Sequence, residues 1–371
     1  MPLGPELRFF DRTKVEHRGK TYVFFGGTDY HRLGSHPEVL AIVREAAESQ
    51  GMDCAGSRVT TGNHPALLAL EAKVGEFLGG RETALCSGGY LSNTVALEAV
   101  AEDYQHFFLD ASAHASVATP AEGMPRKALH RFRAQDPEDL ARQLKRHLRP
   151  GEKPLVLTDG VVSGYGQVPP LKAYWEAVRD LGGRLLVDDS HGVAVLGATG
   201  KGSPEEAGLP PQAFLQTGTL SKGFGLFGGF VAGDPGMMEK VAGRSRAFVG
   251  ATPIPPFLAA AAVRAIGIVQ EHPELIATLQ ARAVAMSRRL SALGFPVSGT
   301  RAPIFSVTYR DEARNRRLGE ILERYGIYPT FINYPGCPPG GHFRFALSSV
   351  HTDEEVERLL QAIADSRGEQ P

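Results

Sequence analysis

Cysteine is scarce in this chain. Cys54, Cys86 and Cys337 lie far apart and form no CxxC pair. They indicate neither a disulfide framework nor a zinc site, and a reducing, cytosolic compartment is the expectation. Long apolar runs are missing as well. No segment approaches the ~18 uninterrupted apolar residues of a membrane span, and the opening stretch MPLGPELRFFDRTK has no apolar core of signal-peptide length. Neither sign of charge dominates: 40 Lys and Arg stand against 41 Asp and Glu. That balance gives no electrostatic footprint for nucleic acid or an anionic membrane surface. No internal repeat and no low-complexity segment is visible. Glycine, by contrast, is abundant, with 43 residues in 371. That supply suits an enzyme with many tight turns and close backbone approaches.

From residue 83 onward, short β-rich runs alternate with helical ones. TALC (83–86) precedes a helix over about 90–102, and HFFLD (106–110) precedes the turn ASAHAS. PLVLTD (154–159) is followed by a helix over 171–181 and then by GRLLVDD (183–189); AFLQTG (213–218) and GGFVAG (228–233) come later. This alternation predicts an α/β fold with a mostly parallel sheet wrapped by helices. Ligands of such sheets sit beyond the carboxyl ends of the strands. Polar residues gather at those positions: Ser87, His114, Ser163, Asp188, His191 and Lys222. The last third reads as a small α+β domain. It has a long helical stretch interrupted at Pro273, strand-like VSG, IFSVTY and HFRFALS, and helices over 312–325 and 353–366. A helix over 38–49 is announced by Ser35 and Pro37. The expected division is an N-terminal segment 1–45 packing with the small domain, a large domain 46–265, and the small domain 266–371.

The stretch TGTLSKGFGLFGGFVAG (217–233) carries one charge, Lys222. A lysine in a dry, glycine-lined turn can shed its proton and act as nucleophile or base; a loop lysine on the surface would read the same in isolation. In VDDSHG (187–192), Asp188 and His191 are three apart and can face one ligand from a turn. Asp188 could pair with a protonated ring nitrogen and His191 donate to an oxygen of the same ring, or either aspartate of the pair could cap a helix. SGGYLSN (87–93) lies between a strand and a helix, so the free amides of Gly89 and Tyr90 could meet an anion. His114 could lie flat on an aromatic ring. Together these form an anion cradle, an acid for a heteroaromatic nitrogen, a stacking imidazole and a Schiff-base lysine, a set that fits pyridoxal phosphate.

Seven blocks in one order carry a resemblance: GSRVTTGNHPALLALEAKVGEFLG, CSGGYLSN, DASAHAS, TDGVVSGYGQVPPL, VDDSHGVAVLGATGKG, TGTLSKGFGLFGGFVAG and RFALSSVHT. The chain resembles the α-oxoamine synthase family of fold-type I pyridoxal phosphate enzymes, from about TDYHRLGSHPEV to FALSSVHTDEEVERLL. The resemblance implies that Lys222 holds the cofactor as a Schiff base, Asp188 faces the pyridine nitrogen, His191 donates to the ring hydroxyl and His114 stacks. It implies phosphate contacts from the Gly89 and Tyr90 backbone, and cofactor contacts from Ser163 and Thr219. Thr252 would reach the phosphate of a neighbouring subunit in a homodimer, and Arg344 would hold the amino-acid carboxylate. The implied reaction is decarboxylative condensation of a small amino acid with an acyl-CoA, with His114 also orienting the acyl carbonyl. Amino transfer is the alternative on the same scaffold.

Departures from the family pattern concern the substrate. Thr28 stands where an active-site asparagine is usual, and His31 and Arg32 replace Leu-Gly in GTDYHRL. Leu67 replaces a histidine, Asp159 a glutamate, and Pro335 a threonine near the substrate. The arm ahead of residue 20 is short. If His31 and Arg32 line an acyl tunnel, short or acidic acyl groups would be favoured; otherwise both face solvent.

Overall fold

The computed structural model describes residues 4–333 and 340–368; Pro335 and Cys337 lie outside them. The chain opens with an antiparallel sheet of β1 (Arg8–Asp11), β2 (Lys14–His17) and β3 (Lys20–Val23). The two-residue turn Arg18-Gly19 joins β2 to β3, with φ of 50° and 73°, the left-handed pair that a tight hairpin requires.

The central sheet has seven strands: β4 (Glu82–Cys86), β5 (His106–Asp110), β6 (Ala128–Phe132), β7 (Pro154–Asp159), β8 (Arg184–Asp188), β9 (Phe214–Thr219) and β10 (Gly229–Gly233). Their spatial order is β4-β10-β9-β8-β7-β5-β6. The pairs β6-β5, β5-β7, β7-β8 and β8-β9 are parallel, and β10 runs antiparallel to both its neighbours. Strands buried on both faces read as continuous apolar runs, and alternate residues divide between the faces. Phe107, Leu109, Leu155, Leu157 and Leu186 enter the core beside α3 (Gly89–Val100), while Phe108, Val156, Leu185 and Val187 enter the core beside helices Pro137–His147 and Leu171–Val178. Asp110, Asp159, Asp188 and Thr219 thereby end four neighbouring strands at one edge.

Helix α1 (Pro37–Gln50) and helix α2 (Pro65–Phe77) pack on the long helix Pro256–Glu271. Leu67 is fully buried in this layer. His64 caps α2, its Nδ1 accepting from the Ala66 amide at 3.1 Å. Glu71 ties α2 to β4. It accepts from the Leu85 amide (3.0 Å) and pairs with Arg58 through both carboxylate oxygens (2.8 and 2.9 Å), and both side chains are buried.

The C-terminal part holds a second antiparallel sheet, β11 (Ile304–Val307), β13 (His342–Ala346) and β12 (Phe331–Ile332), in that spatial order. Phe305, Val307, Phe343 and Phe345 share the core with Leu318, Ile321, Leu322 and Leu359 of the helices Glu312–Arg324 and Asp353–Gly368. Pro273 separates helices Pro256–Glu271 and Glu274–Ala292, as the sequence suggests. The expected strand VSG does not form. Ser298 there donates to the Gly166 carbonyl at 3.2 Å, and Gly299 has φ 69°. The N-terminal segment is stitched to this domain: Val23 exchanges backbone hydrogen bonds with Gly326 and Tyr328, and Phe25 accepts from the Ala346 amide. Helix α1, by contrast, packs on Pro256–Glu271.

Removing one member of a buried ion pair strands the other charge, at about 3–5 kcal/mol. Arg58→Met is expected to lower unfolding stability by that amount in urea titration, because Glu71 stays buried at the α2–β4 joint. A loss below about 1 kcal/mol would contradict this role.

Candidate active site

A cavity of about 240 Å³ opens at the carboxyl edge of β7, β8 and β9, with Asp159, Asp188, His191, Thr219 and Lys222 in its wall. At its floor, Asp188 is held on both oxygens. Asn93 Nδ2 (2.6 Å) and Ser116 Oγ (3.0 Å) donate to Oδ2, and the Ser190 amide (3.1 Å) donates to Oδ1. Asn93 is itself fixed by Thr217 Oγ1, which donates to its Oδ1 at 2.6 Å. The ambiguity between the two aspartates resolves cleanly. Asp188 faces the cavity, whereas Asp189 points into the protein, where it accepts from the amide and hydroxyl of Ser203 and from Gln216. Burial pushes the Asp189 carboxyl up to about 7.

His191 lines the cavity, and its Nδ1 meets the Tyr30 hydroxyl at 2.7 Å. Burial, reinforced by the cations Lys222 and Arg344, lowers its pKa well below the ordinary imidazole value. His114 caps helix α4 (Ala115–Gly123), its Nδ1 accepting from the Ser116 amide at 3.2 Å. The other ring nitrogen therefore carries the proton. The His114 amide is gripped by both oxygens of Asp159 at 3.1 Å. Asp159 stands beside Asp188 in register, and burial together with that neighbouring carboxylate raises its pKa well above the usual range. Lys222 lies in the turn between β9 and β10. Burial lowers its pKa against the opposing pull of Asp188.

Gly89 and Tyr90 begin α3 at the cavity mouth, opposite Thr219 and Ser221. A Cβ on Gly89 would fall 2.5 Å from that of Thr219, so only glycine lets the helix start approach this closely. Thr219 Oγ1 donates to the Gly228 carbonyl (2.9 Å) and accepts from the Ser221 amide (3.1 Å). Ser163 lines the cavity, and its carbonyl accepts from Arg344 Nε at 2.7 Å. Arg344, buried on β13, stands behind Ser163 rather than in the cavity wall. Thr28 is half-buried and Thr252 exposed, both outside that wall.

Neither expectation for His31 and Arg32 holds. His31 is fully buried; its Nε2 donates to the Ala194 carbonyl (2.6 Å) and its Nδ1 meets Ser349 Oγ (2.9 Å). Arg32 is also buried, donating to the Phe24 carbonyl at 3.2 Å and lying beside the Phe24 ring. They are internal polar struts, facing neither the cavity nor solvent. Asn93, Ser116, Ser190 and Tyr30 are among the site residues that the sequence reading passed over. Asn93 was detectable: it follows Gly89 by four residues, one helical turn, and so shares its face. Tyr30 carried no such signal, because its partner lies 161 residues away.

These residues fit pyridoxal phosphate. An oriented carboxylate, a glycine-cradled helix start and a lysine with depressed basicity line one cavity. The aminotransferase class I and II model matches residues 21–363. A putative 8-amino-7-oxononanoate synthase of Desulforudis audaxviator is 31% identical over 98% of this chain and 92% of its own length. A serine palmitoyltransferase of Caulobacter vibrioides is 31% identical over 94% of this chain and 86% of its own. Among solved structures, a serine palmitoyltransferase from S. paucimobilis, with PLP and myriocin bound, superposes with a TM-score of 0.89 at 27% identity, covering 97% of this chain and 90% of that one. The chain belongs to the aminotransferase class I and II family, as a fold-type I pyridoxal phosphate enzyme of the α-oxoamine synthase group.

Burial holds the His31 pKa down to about 4. The unfolded chain then takes up a proton from about pH 6.5 downward while the folded chain does not, so His31 favours unfolding progressively as pH falls to about 4. The full effect is about 3 kcal/mol. His31→Gln is expected to remove it, so the stability gap between the two proteins should narrow by that amount between pH 7 and pH 4 in chemical denaturation. Parallel curves would contradict the assignment.

Proposed function

We propose that this enzyme condenses a small amino acid with an acyl thioester, most simply an acyl-CoA, with loss of carbon dioxide. The observation that carries the reading is the convergence of Lys222 and the doubly held Asp188 on one cavity. The relatives named for 8-amino-7-oxononanoate and serine palmitoyl synthesis support it. When bound, pyridoxal phosphate supplies an electron sink for the bonds broken at the amino acid's α-carbon.

In this reading, Asp188 holds the proton of the ring nitrogen in place, and Asn93 and Ser116 keep its oxygens from turning away. With pyridoxal phosphate bound, His191 would donate to the ring oxygen, and His114 would cover the ring face and orient the acyl carbonyl. The Gly89 and Tyr90 amides meet the phosphate, assisted by Thr219, while Ser163 borders the cofactor. Lys222, made less basic by burial, is a competent amine nucleophile for holding the cofactor. With cofactor and substrate bound, its Nζ would be the base that takes the α-proton. Arg344 spends its Nε on the Ser163 carbonyl and borders the Tyr30 hydroxyl; its remaining donors would meet the substrate carboxylate. Thr28 stands in the segment that approaches the same substrate.

The test is a panel of small amino acids with acyl-CoAs, scored for free thiol and carbon dioxide released in equal amounts. Amino transfer without thiol release would overturn the reading. Asp188→Asn is expected to lower the rate by two or more decades, about 3 kcal/mol. Asn93→Ala should cost roughly tenfold through the misoriented carboxylate. A near-normal rate in both would show that another group faces the ring nitrogen.

We further propose a homodimer in which Thr252 reaches the partner's phosphate site. Thr252 is exposed, and Tyr90 and Phe227, beside the cavity and in the lysine turn, are exposed aromatics. The protein should sediment as a dimer. Thr252→Ala should weaken cofactor affinity about tenfold, one hydrogen bond's worth. A monomer of full affinity would contradict the shared site.

A further inference from the structure

Tyr30 occupies a junction. Its amide donates to the Lys222 carbonyl at 3.3 Å, and its carbonyl accepts from the Ser349 amide at 2.9 Å. The residue is thus pinned at once to the lysine turn and to the C-terminal domain. Its ring is fully buried. Its hydroxyl meets His191 Nδ1 at 2.7 Å, and the Arg344 guanidinium borders the same oxygen.

The proton order along this chain follows from chemistry. The neighbouring Arg344 guanidinium has donors only, so it favours the Tyr30 oxygen as an acceptor and turns the phenolic proton away from itself. The phenolic proton then points to His191 Nδ1, and His191 carries its own proton on Nε2, on the cavity side. Burial raises the Tyr30 phenol to about 12 and keeps His191 neutral, so neither group abandons its role near neutral pH. The positive charge of Arg344 makes the phenol a stronger donor. A more strongly held Nδ1 makes the Nε2 proton a stronger donor in turn, because linked hydrogen bonds polarise one another.

We propose that Tyr30 is a positioning residue that couples the carboxylate seat at Arg344 to the His191 Nε2 donor facing the cofactor ring. An empty seat leaves the guanidinium charge free to polarise the relay. A seated carboxylate neutralises that charge and relaxes it. The inference rests on the proposed role of Arg344 as the carboxylate seat.

The experiment uses the holoenzyme and Tyr30→Phe, which removes one oxygen and keeps the buried ring. The reading is the pH midpoint at which the bound cofactor's visible band changes, with and without propionate, a carboxylate that lacks the reacting amine. Without propionate, the midpoint in Tyr30→Phe is expected about one unit higher, a tenfold change in proton affinity. Propionate is expected to raise the midpoint of the unaltered enzyme. In the variant this rise should shrink to less than half, the remainder being the direct field of the carboxylate. Equal rises in both proteins would overturn the coupling alone. No rise in either would overturn the carboxylate seat and the coupling with it. A second measurement needs no Tyr30 variant: nitrogen-15 spectra of the histidine-labelled holoenzyme, with His191 identified by its loss in His191→Gln. A proton on Nε2 and a bare, hydrogen-bonded Nδ1 are expected, and the opposite tautomer would overturn the proposal.

Discussion

The hydrogen bond from Asn93 to Asp188 is the contact on which the site's geometry depends. It joins the second turn of α3 to the end of β8 at 2.6 Å, and Thr217 of β9 holds the asparagine from behind. Ser116 of α4 completes the grip. Two helices from different parts of the chain therefore converge on one carboxylate, with β9 backing the first. An acid so held keeps its charge directed at the cavity, where water would otherwise solvate it from any side. Its neighbour shows the alternative: Asp189, one residue on, spends every bond on Ser203 and Gln216 and shapes the loop after β8 instead.

Two carboxylates share the cavity wall, and they differ in what surrounds them. Asp188 takes three donors and keeps acceptor capacity toward the cavity. Among the described residues, the Asp159 carboxylate receives only the His114 amide; it lies against Asp188, and burial with that like charge pushes it toward the protonated form. The pair can thus place one negative charge at the floor without a second competing with it. Lys222 completes the balance, its ammonium disfavoured by burial and favoured by Asp188.

The segment around Tyr30 has a different task. The backbone from Val23 to Tyr30 is bonded to Gly326, Ala346 and Ser349 on one side and to Lys222 on the other. His31 and Arg32 bury polar groups beside it. The C-terminal sheet, which carries Arg344, is thereby tied through this strip to the lysine turn. In the proposed reading, Arg344 of the C-terminal sheet would meet the substrate while the ends of the central strands meet the cofactor, and this strip ties the two parts together.

Much was legible in the sequence because it is local. Alternating apolar runs mark the central strands, since a strand buried on both faces has no place for charge. Pro273 breaks a helix because it lacks an amide and crowds the preceding turn. Lys222, Asp188 and His191 stand out because polar groups at strand ends have few structural reasons to be there. Other features escaped. The N-terminal sheet was passed over although Arg18-Gly19 marks its hairpin, and VSG was read as a strand although its groups are spent on Gly166. His31 and Arg32 looked like substrate residues because a charged type in a known block suggests solvent or ligand; only packing decides that both are internal. The sequence by itself determined which chemistry the chain can carry, because residue types and their order after strands survive any detail of packing. Only the tertiary structure decided which aspartate faces the cavity, what holds it, and that Tyr30 meets His191 across 161 residues. Such contacts are set by the distance-dependent fit of side chains that no local pattern encodes.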